Sequence, residues 1–414
     1  MKKKNLVALL MAGAMCLSLL AGCGSSNSGS AASNPPAGNE STAPASEDPA
    51  GGEGGEIVVA LITNTTGDYA QYGVPVHNAA KMYIDQLNAN GGINGKQIKV
   101  LEYDDKADGI ETVNAFNLAL ENGATAVIGS VLTGATIALA DATYDVNMPQ
   151  ITASATAAGV TVMEDTGEVR TNVFRSCFID PFQGEKMADY AYNKLGAKTA
   201  AVIFETGSDY SEGLKDAFLE KAAELGLEIV ATEAYATGDK DFKAQMTNIA
   251  AKQPDVVFVP VYYNDAGLIV TQARQVGVTG TFLGGDGWGS VKDYASAEDL
   301  EGAVYCSGYA PGTESVAQFE ADYEATFGEP VPNMFAPLAY DAAMLMCEAL
   351  KAAEDQGLTA GTDEYKQAVI DALANMNGVE GITGTYTFDE FNNPVKSAAM
   401  IALQGGEELF TEMY

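Results

Sequence analysis

Histidine occurs once in the 414 residues, tryptophan once and cysteine five times. With His77 alone, no Ser-His-Asp set can be assembled in the usual way, and neither a G-x-S-x-G elbow nor a phosphate-cradling P-loop occurs. His77 lies four residues before Lys81 on the polar side of a predicted helix, so an exposed surface position is expected. Cations are also scarce: 22 Lys and Arg stand against 56 Asp and Glu, a formal charge of −34. That balance repels nucleic-acid phosphates and argues against electrostatic adhesion to anionic lipid. Cys16 falls in an apolar leader and Cys23 at its end, which leaves Cys177, Cys306 and Cys347 in the folded part. Three widely spaced cysteines are neither a disulfide framework nor a zinc site, and buried small apolar positions are expected for them. Asp104-Asp105-Lys106-Ala107-Asp108-Gly109 hints at a calcium loop. Lys106 at a ligand position and Ala115 where a Glu is needed exclude it.

Long apolar runs are missing except at residues 6–20, which follow Lys2, Lys3 and Lys4. That segment is too short for a membrane span and reads as a signal peptide over residues 1–22. It closes in Leu20-Ala21-Gly22-Cys23, which resembles a lipobox, and Cys23 is the expected lipidation site. Residues 23–55 are rich in Ser, Ala, Gly and Pro without apolar periodicity and are expected to form a flexible linker.

Beyond residue 56 the remaining length suits two domains. Short β-rich runs alternate with longer amphipathic stretches. Strands are predicted at 57–62, 97–103, 126–128, 149–152 and 173–176, with helices between them. The pattern then restarts, with strands at 199–204, 228–233, 256–259, 281–283 and 304–309. Three helices follow at 315–327, 337–355 and 363–375, and two strands end the chain at 385–388 and 398–403. The fold class is α/β, two doubly wound parallel-sheet units, and ligands in such folds bind beyond the carboxyl ends of the strands.

The loops there divide by chemistry. Ser130-Val131-Leu132-Thr133 and Thr152-Ala153-Ser154-Ala155-Thr156 lead from strand towards helix and are rich in hydroxyls. Free N–H groups and a helix dipole at such places suit a carboxylate, although plain N-capping accounts for the same residues. In the second unit Tyr210, Tyr262 and Asp286 follow strands and suit an ammonium group. Asp286 also stands between glycines, where a turn residue is ordinary. A solute carrying both charges, an α-amino acid, would join the two sets. Gly284 to Gly289 lacks dinucleotide-binding spacing.

ALITNTTGDYAQYG at 60–73, Gly91-Gly92-Ile93-Asn94-Gly95, Tyr103-Asp104-Asp105, Ile128-Gly129, Ile151 to Thr156, Tyr210-Ser211-Glu212-Gly213 and Gln272-Ala273-Arg274 together resemble the leucine/isoleucine/valine-binding proteins of branched-chain amino acid ABC importers. The resemblance covers residues 57–403. It implies a type I periplasmic-binding-protein fold with three crossovers, and lobes of 56–177 plus 309–395 and 178–308 plus 396–414. It implies no catalysis and no cofactor. Thr133, Ser154 and Thr156 would hold the ligand carboxylate, and Tyr262 and Asp286 its ammonium. Tyr210 would close over it, with Tyr72, Leu132 and Phe335 as the apolar wall. Close relatives carry Glu where Asp286 stands. Trp288 replaces a smaller residue and is expected to reshape the pocket. Cys177 and Cys306 each fall beside a crossover, so a hinge disulfide is an expectation to test. The implied partners are an amino-acid ligand and permease subunits, with membrane contact only through the lipid, and a monomer outside the cytoplasm. A sensor module, a binder of urea, amides or aromatic acids, and an enzyme with an unrecognised site are the rival readings.

Overall fold

The computed structural model describes residues 56–414. The expectations for the signal segment, Cys23 and the linker fall on residues 1–55, outside the described residues. The first half reads β1 (Ile57–Thr63), α1 (Ala70–Ala89), β2 (Ile98–Asp104), α2 (Gly109–Glu121), β3 (Ala126–Gly129), α3 (Thr133–Tyr144), β4 (Gln150–Thr152) and β5 (Val173–Arg175). Its five strands form one parallel sheet in the order β2-β1-β3-β4-β5. β1 is buried along its whole length, as a central strand covered on both faces must be.

The second run comprises α4 (Asp180–Asp189), β6 (Thr199–Thr206), α5 (Asp209–Leu225), β7 (Glu228–Ala236), α6 (Lys243–Ala250), β8 (Val256–Phe258), α7 (Tyr263–Gln275), β9 (Thr281–Gly284), α8 (Ala297–Leu300) and β10 (Val304–Ser307). Then come α9 (Ala317–Phe327), α10 (Phe335–Asp355), α11 (Asp363–Ala374), a hairpin of β11 (Asn377–Gly381) and β12 (Gly384–Thr387), and finally β13 (Ala399–Gln404) and β14 (Glu407–Met413). The second sheet runs β14-β13-β10-β9-β8-β6-β7. It is parallel except at one edge, where β13 runs antiparallel to β10 and β14 antiparallel to β13. α10 packs on α1 and α11 on α10, so late sequence completes the helical layer of the first sheet.

Two expectations of the sequence need correcting. His77 is half-buried rather than exposed: Nδ1 lies 3.3 Å from the Thr63 hydroxyl and Nε2 2.9 Å from Glu102, so it ties α1 to β1 and β2. Cys177 and Cys306 are free, buried thiols and form no disulfide. Burial pushes both well above the usual thiol range.

The chain passes between the two sheet units after β5, after β10 and after β12. A buried polar cluster joins the first and last passages. Lys396 Nζ donates to the Ser176 carbonyl (3.2 Å), the Thr383 hydroxyl (2.6 Å) and the Tyr386 hydroxyl (2.8 Å). Asp341 accepts from the Ile382 and Thr383 N–H groups at 2.8 and 2.9 Å, and from the Tyr386 hydroxyl at 2.9 Å. Burial pulls the Lys396 ammonium down to about 8.

Candidate functional site

β3 and β4 end side by side, and their following loops are braced from below. Asp105 accepts from the Ala107 N–H (2.9 Å) and the Thr112 hydroxyl (3.1 Å), and the Ser130 hydroxyl donates to it. Asp108 caps α2 by accepting from the Ile110 and Glu111 N–H groups. The acidic run at 104–108 is therefore structural, and its Asp105 fixes the loop that leads to α3. Ser154 Oγ donates to the Val131 carbonyl at 2.7 Å and couples the two loops.

α3 begins at Thr133 after Leu132, which offers no side-chain cap. Thr136 N donates to the Leu132 carbonyl, so the first N–H groups of this twelve-residue helix have no side-chain acceptor. Leu132, Thr133 and Ser154 border a small, nearly closed cavity. The helix start thus directs orphan donors and the positive end of its dipole to the cavity, a setting that favours an anion.

Across the cavity stands Asp286, two residues past β9. Tyr210 Oη donates to its Oδ1 at 2.8 Å and Gln183 Nε2 at 3.2 Å, while its own N–H donates to Gln183 Oε1 at 2.8 Å. Burial raises the carboxyl to about 6, and the Tyr210 and Gln183 hydrogen bonds hold it below what burial alone would give. Gln183 Nε2 also lies 3.3 Å from Oδ1 of buried Asp180. Burial first, then repulsion from Asp286, pushes Asp180 well above the usual carboxylate range. Both acids are thereby shifted towards their protonated forms.

Aromatic rings complete the wall. Tyr210 stacks on Tyr262 with centroids 4.7 Å apart. Tyr72, from α1, meets Phe335 edge-on at 4.9 Å and Tyr262 at 5.9 Å. Tyr72 also joins the two sheet units, since its hydroxyl donates to the Gly287 carbonyl and accepts from Tyr263 N. Gly287 is required here: its N–H donates to Tyr210 Oη at 2.8 Å, and a Cβ would stand 2.6 Å from that oxygen.

Eight of the ten residues singled out from the sequence therefore border one cavity: Tyr72, Leu132, Thr133, Ser154, Tyr210, Tyr262, Asp286 and Phe335. Trp288 does not. It is fully buried, its indole N–H donates to the Val259 carbonyl at 2.8 Å, and its ring fills the space that a Cβ on Gly284 would take. Thr156 is buried beneath the lining, with the Asp180 N–H on its carbonyl at 2.9 Å. Val131 and Gly287 border the cavity and Gln183 supports it, none of them expected. A strand-end position would have found Val131, but nothing local marks Gln183, whose partner lies 103 residues away.

A family model described as periplasmic binding protein matches residues 56–407. The chain is 30% identical to a Leu/Ile/Val-binding protein, BraC3, of Rhizobium johnstonii over 81% of its own length and 88% of that protein. Its structure is similar to the substrate-binding protein LivJ of a branched-chain amino acid transporter of Streptococcus pneumoniae, solved in complex with isoleucine. The TM-score is 0.78 at 32% identity, over 87% of this chain and 99% of that one. It is also similar to the leucine-binding protein LivK of Thermotoga maritima, with a TM-score of 0.77 at 28% identity over 86% and 98% of the two chains.

Proposed function

Because the chain belongs to the periplasmic binding protein family, whose members bind solutes outside the cytoplasm and are not enzymes, we propose that it captures an apolar α-amino acid, of branched-chain type, and delivers it to an ABC importer. One observation carries the reading. The uncapped start of α3, with Thr133 and Ser154, faces the Asp286 carboxylate and its tyrosines across a single cavity. An α-carboxylate fits the first set and an ammonium the second, with Tyr72, Leu132 and Phe335 against an aliphatic side chain. A solute without an ammonium would leave buried Asp286 without a cation, which disfavours it.

Thr156, which the resemblance places on the ligand carboxylate, keeps that role in this reading, from just beneath the lining beside Ser154. We take the first lobe as 56–177 plus 309–395 and the second as 178–308 plus 396–414, closing about the three passages. Cys23, after its lipobox-like residues, anchors the chain to the outer face of the membrane, so that the closed form meets permease subunits while tethered. Thermal unfolding against a panel of amino acids, urea and benzoate tests the proposal. Leucine, isoleucine or valine at a hundredfold excess over its dissociation constant should raise the midpoint by several degrees. A rise with urea or benzoate and none with any amino acid would reject it.

A further inference from the structure

Arg175 ends β5 and is fully buried, yet its hydrogen bonds go only to neutral oxygens. Nη1 donates to the Ala155 carbonyl at 2.8 Å, and Nη2 to the Ala157 carbonyl at 3.0 Å and the Thr161 hydroxyl at 3.1 Å. Among the described residues no carboxylate oxygen lies within 4 Å of it. A buried cation without an adjacent anion is costly, and an apolar side chain would fill the same space more favourably.

The sheet register explains its reach. Arg175 pairs with Thr152, the last residue of β4, and so stands beside the loop at 153–157. In a trans peptide the C=O and N–H point in opposite directions. With the Ala155 carbonyl drawn to the guanidinium, and Cys177 Sγ 3.5 Å from the same oxygen, the Thr156 N–H is turned the other way. That N–H donates to no backbone carbonyl among the described residues, and the buried Thr156 hydroxyl, beside the Asp180 carboxyl, has no well-formed hydrogen bond. Ser154, two residues earlier, borders the cavity.

We propose that Arg175 is a positioning residue for the anionic end of the site. Its forked donors hold the loop so that the Thr156 N–H and hydroxyl face a ligand carboxylate, and its fixed charge favours that carboxylate from behind the loop. Asp180, the acid whose charge would oppose this, is shifted towards its neutral form by burial and then by repulsion from Asp286. The inference rests on the amino-acid reading above.

Calorimetric titration with leucine and with leucinamide, which lacks the carboxylate, tests it, with competition against leucine where leucinamide binds weakly. Circular dichroism checks the fold of each variant. Arg175→Met should lose about tenfold or more for leucine and much less for leucinamide, and Arg175→Lys, which keeps the charge without the fork, should fall between. A folded Arg175→Met that leaves leucine binding intact, or weakens both probes equally, overturns the inference and leaves the amino-acid reading standing. If Arg175→Met does not fold, the same comparison in Arg175→Lys decides. A wild-type protein that binds neither probe, but takes a solute without an ammonium, overturns the amino-acid reading and this inference with it.

Discussion

Gln183 fixes Asp286 at both its backbone N–H and its Oδ1. Burial places its carboxyl at about 6 rather than in the usual carboxylate range. Below that pH the ligand-free site carries a proton that an ammonium must displace. Affinity for an amino acid should therefore be flat above about pH 7 and fall below about pH 6, approaching tenfold per unit. Asp286→Asn should bind weakly at every pH, and titration at pH 7.5 and pH 5 separates the two. Gly287→Ala would push its Cβ against the Tyr210 hydroxyl, so we expect an affinity loss of about tenfold or more with little change in thermal midpoint. Equal affinity in that variant would show that Tyr210 does not meet the ligand. At this scale the sequence marked the side chains at strand ends, because topology alone sends those to the cleft. It misplaced Trp288, because only the packed structure shows that Gly284 leaves room for the indole beneath the surface.

At the scale of elements, the long alternation of β-rich and amphipathic segments was legible because the central parallel strands are buried apolar runs. β14 was not. Its residues alternate between exposed and half-buried at a sheet edge, with three glutamates among seven residues, so no apolar run announces it. β11 was hidden for a similar reason, since Asn377-Gly378-Val379-Glu380-Gly381 is exposed or half-buried throughout and gains its strand form from pairing with β12. The polar cluster at the passages was equally invisible, because Asp341, Tyr386 and Lys396 meet only in the fold. Asp341→Ala would remove the shared acceptor of the Ile382 and Thr383 N–H groups and of the Thr383 and Tyr386 hydroxyls, and we expect a loss of about 3 kcal/mol in chemical unfolding. Lys396 has a folded value of about 8 against an ordinary 10.5. Between those values the unfolded chain holds more protons, so this residue makes stability rise with pH. The rise should be smaller in Lys396→Met when midpoints are compared at pH 8 and pH 9.5.

At the scale of the molecule, the formal charge of −34 sets a background of self-repulsion. Raising the ionic strength from low salt to 0.5 M should raise the thermal midpoint, as screening shortens the reach of that repulsion. The two sheet units meet through Tyr72, Tyr263 and Gly287, with the Tyr263 hydroxyl on the Asp68 carbonyl and the Asn333 side-chain amide on the Ser290 hydroxyl. The central claim is that opposite faces of this cavity hold the two charged ends of one amino acid. Calorimetric titration of isoleucine into the refolded, ligand-stripped protein, beside Asp286→Ala and Thr133→Ala, tests it most directly. The account predicts tight binding by the wild type and severe loss in Asp286→Ala, with a clear loss in Thr133→Ala. Undiminished isoleucine binding in Asp286→Ala would contradict it.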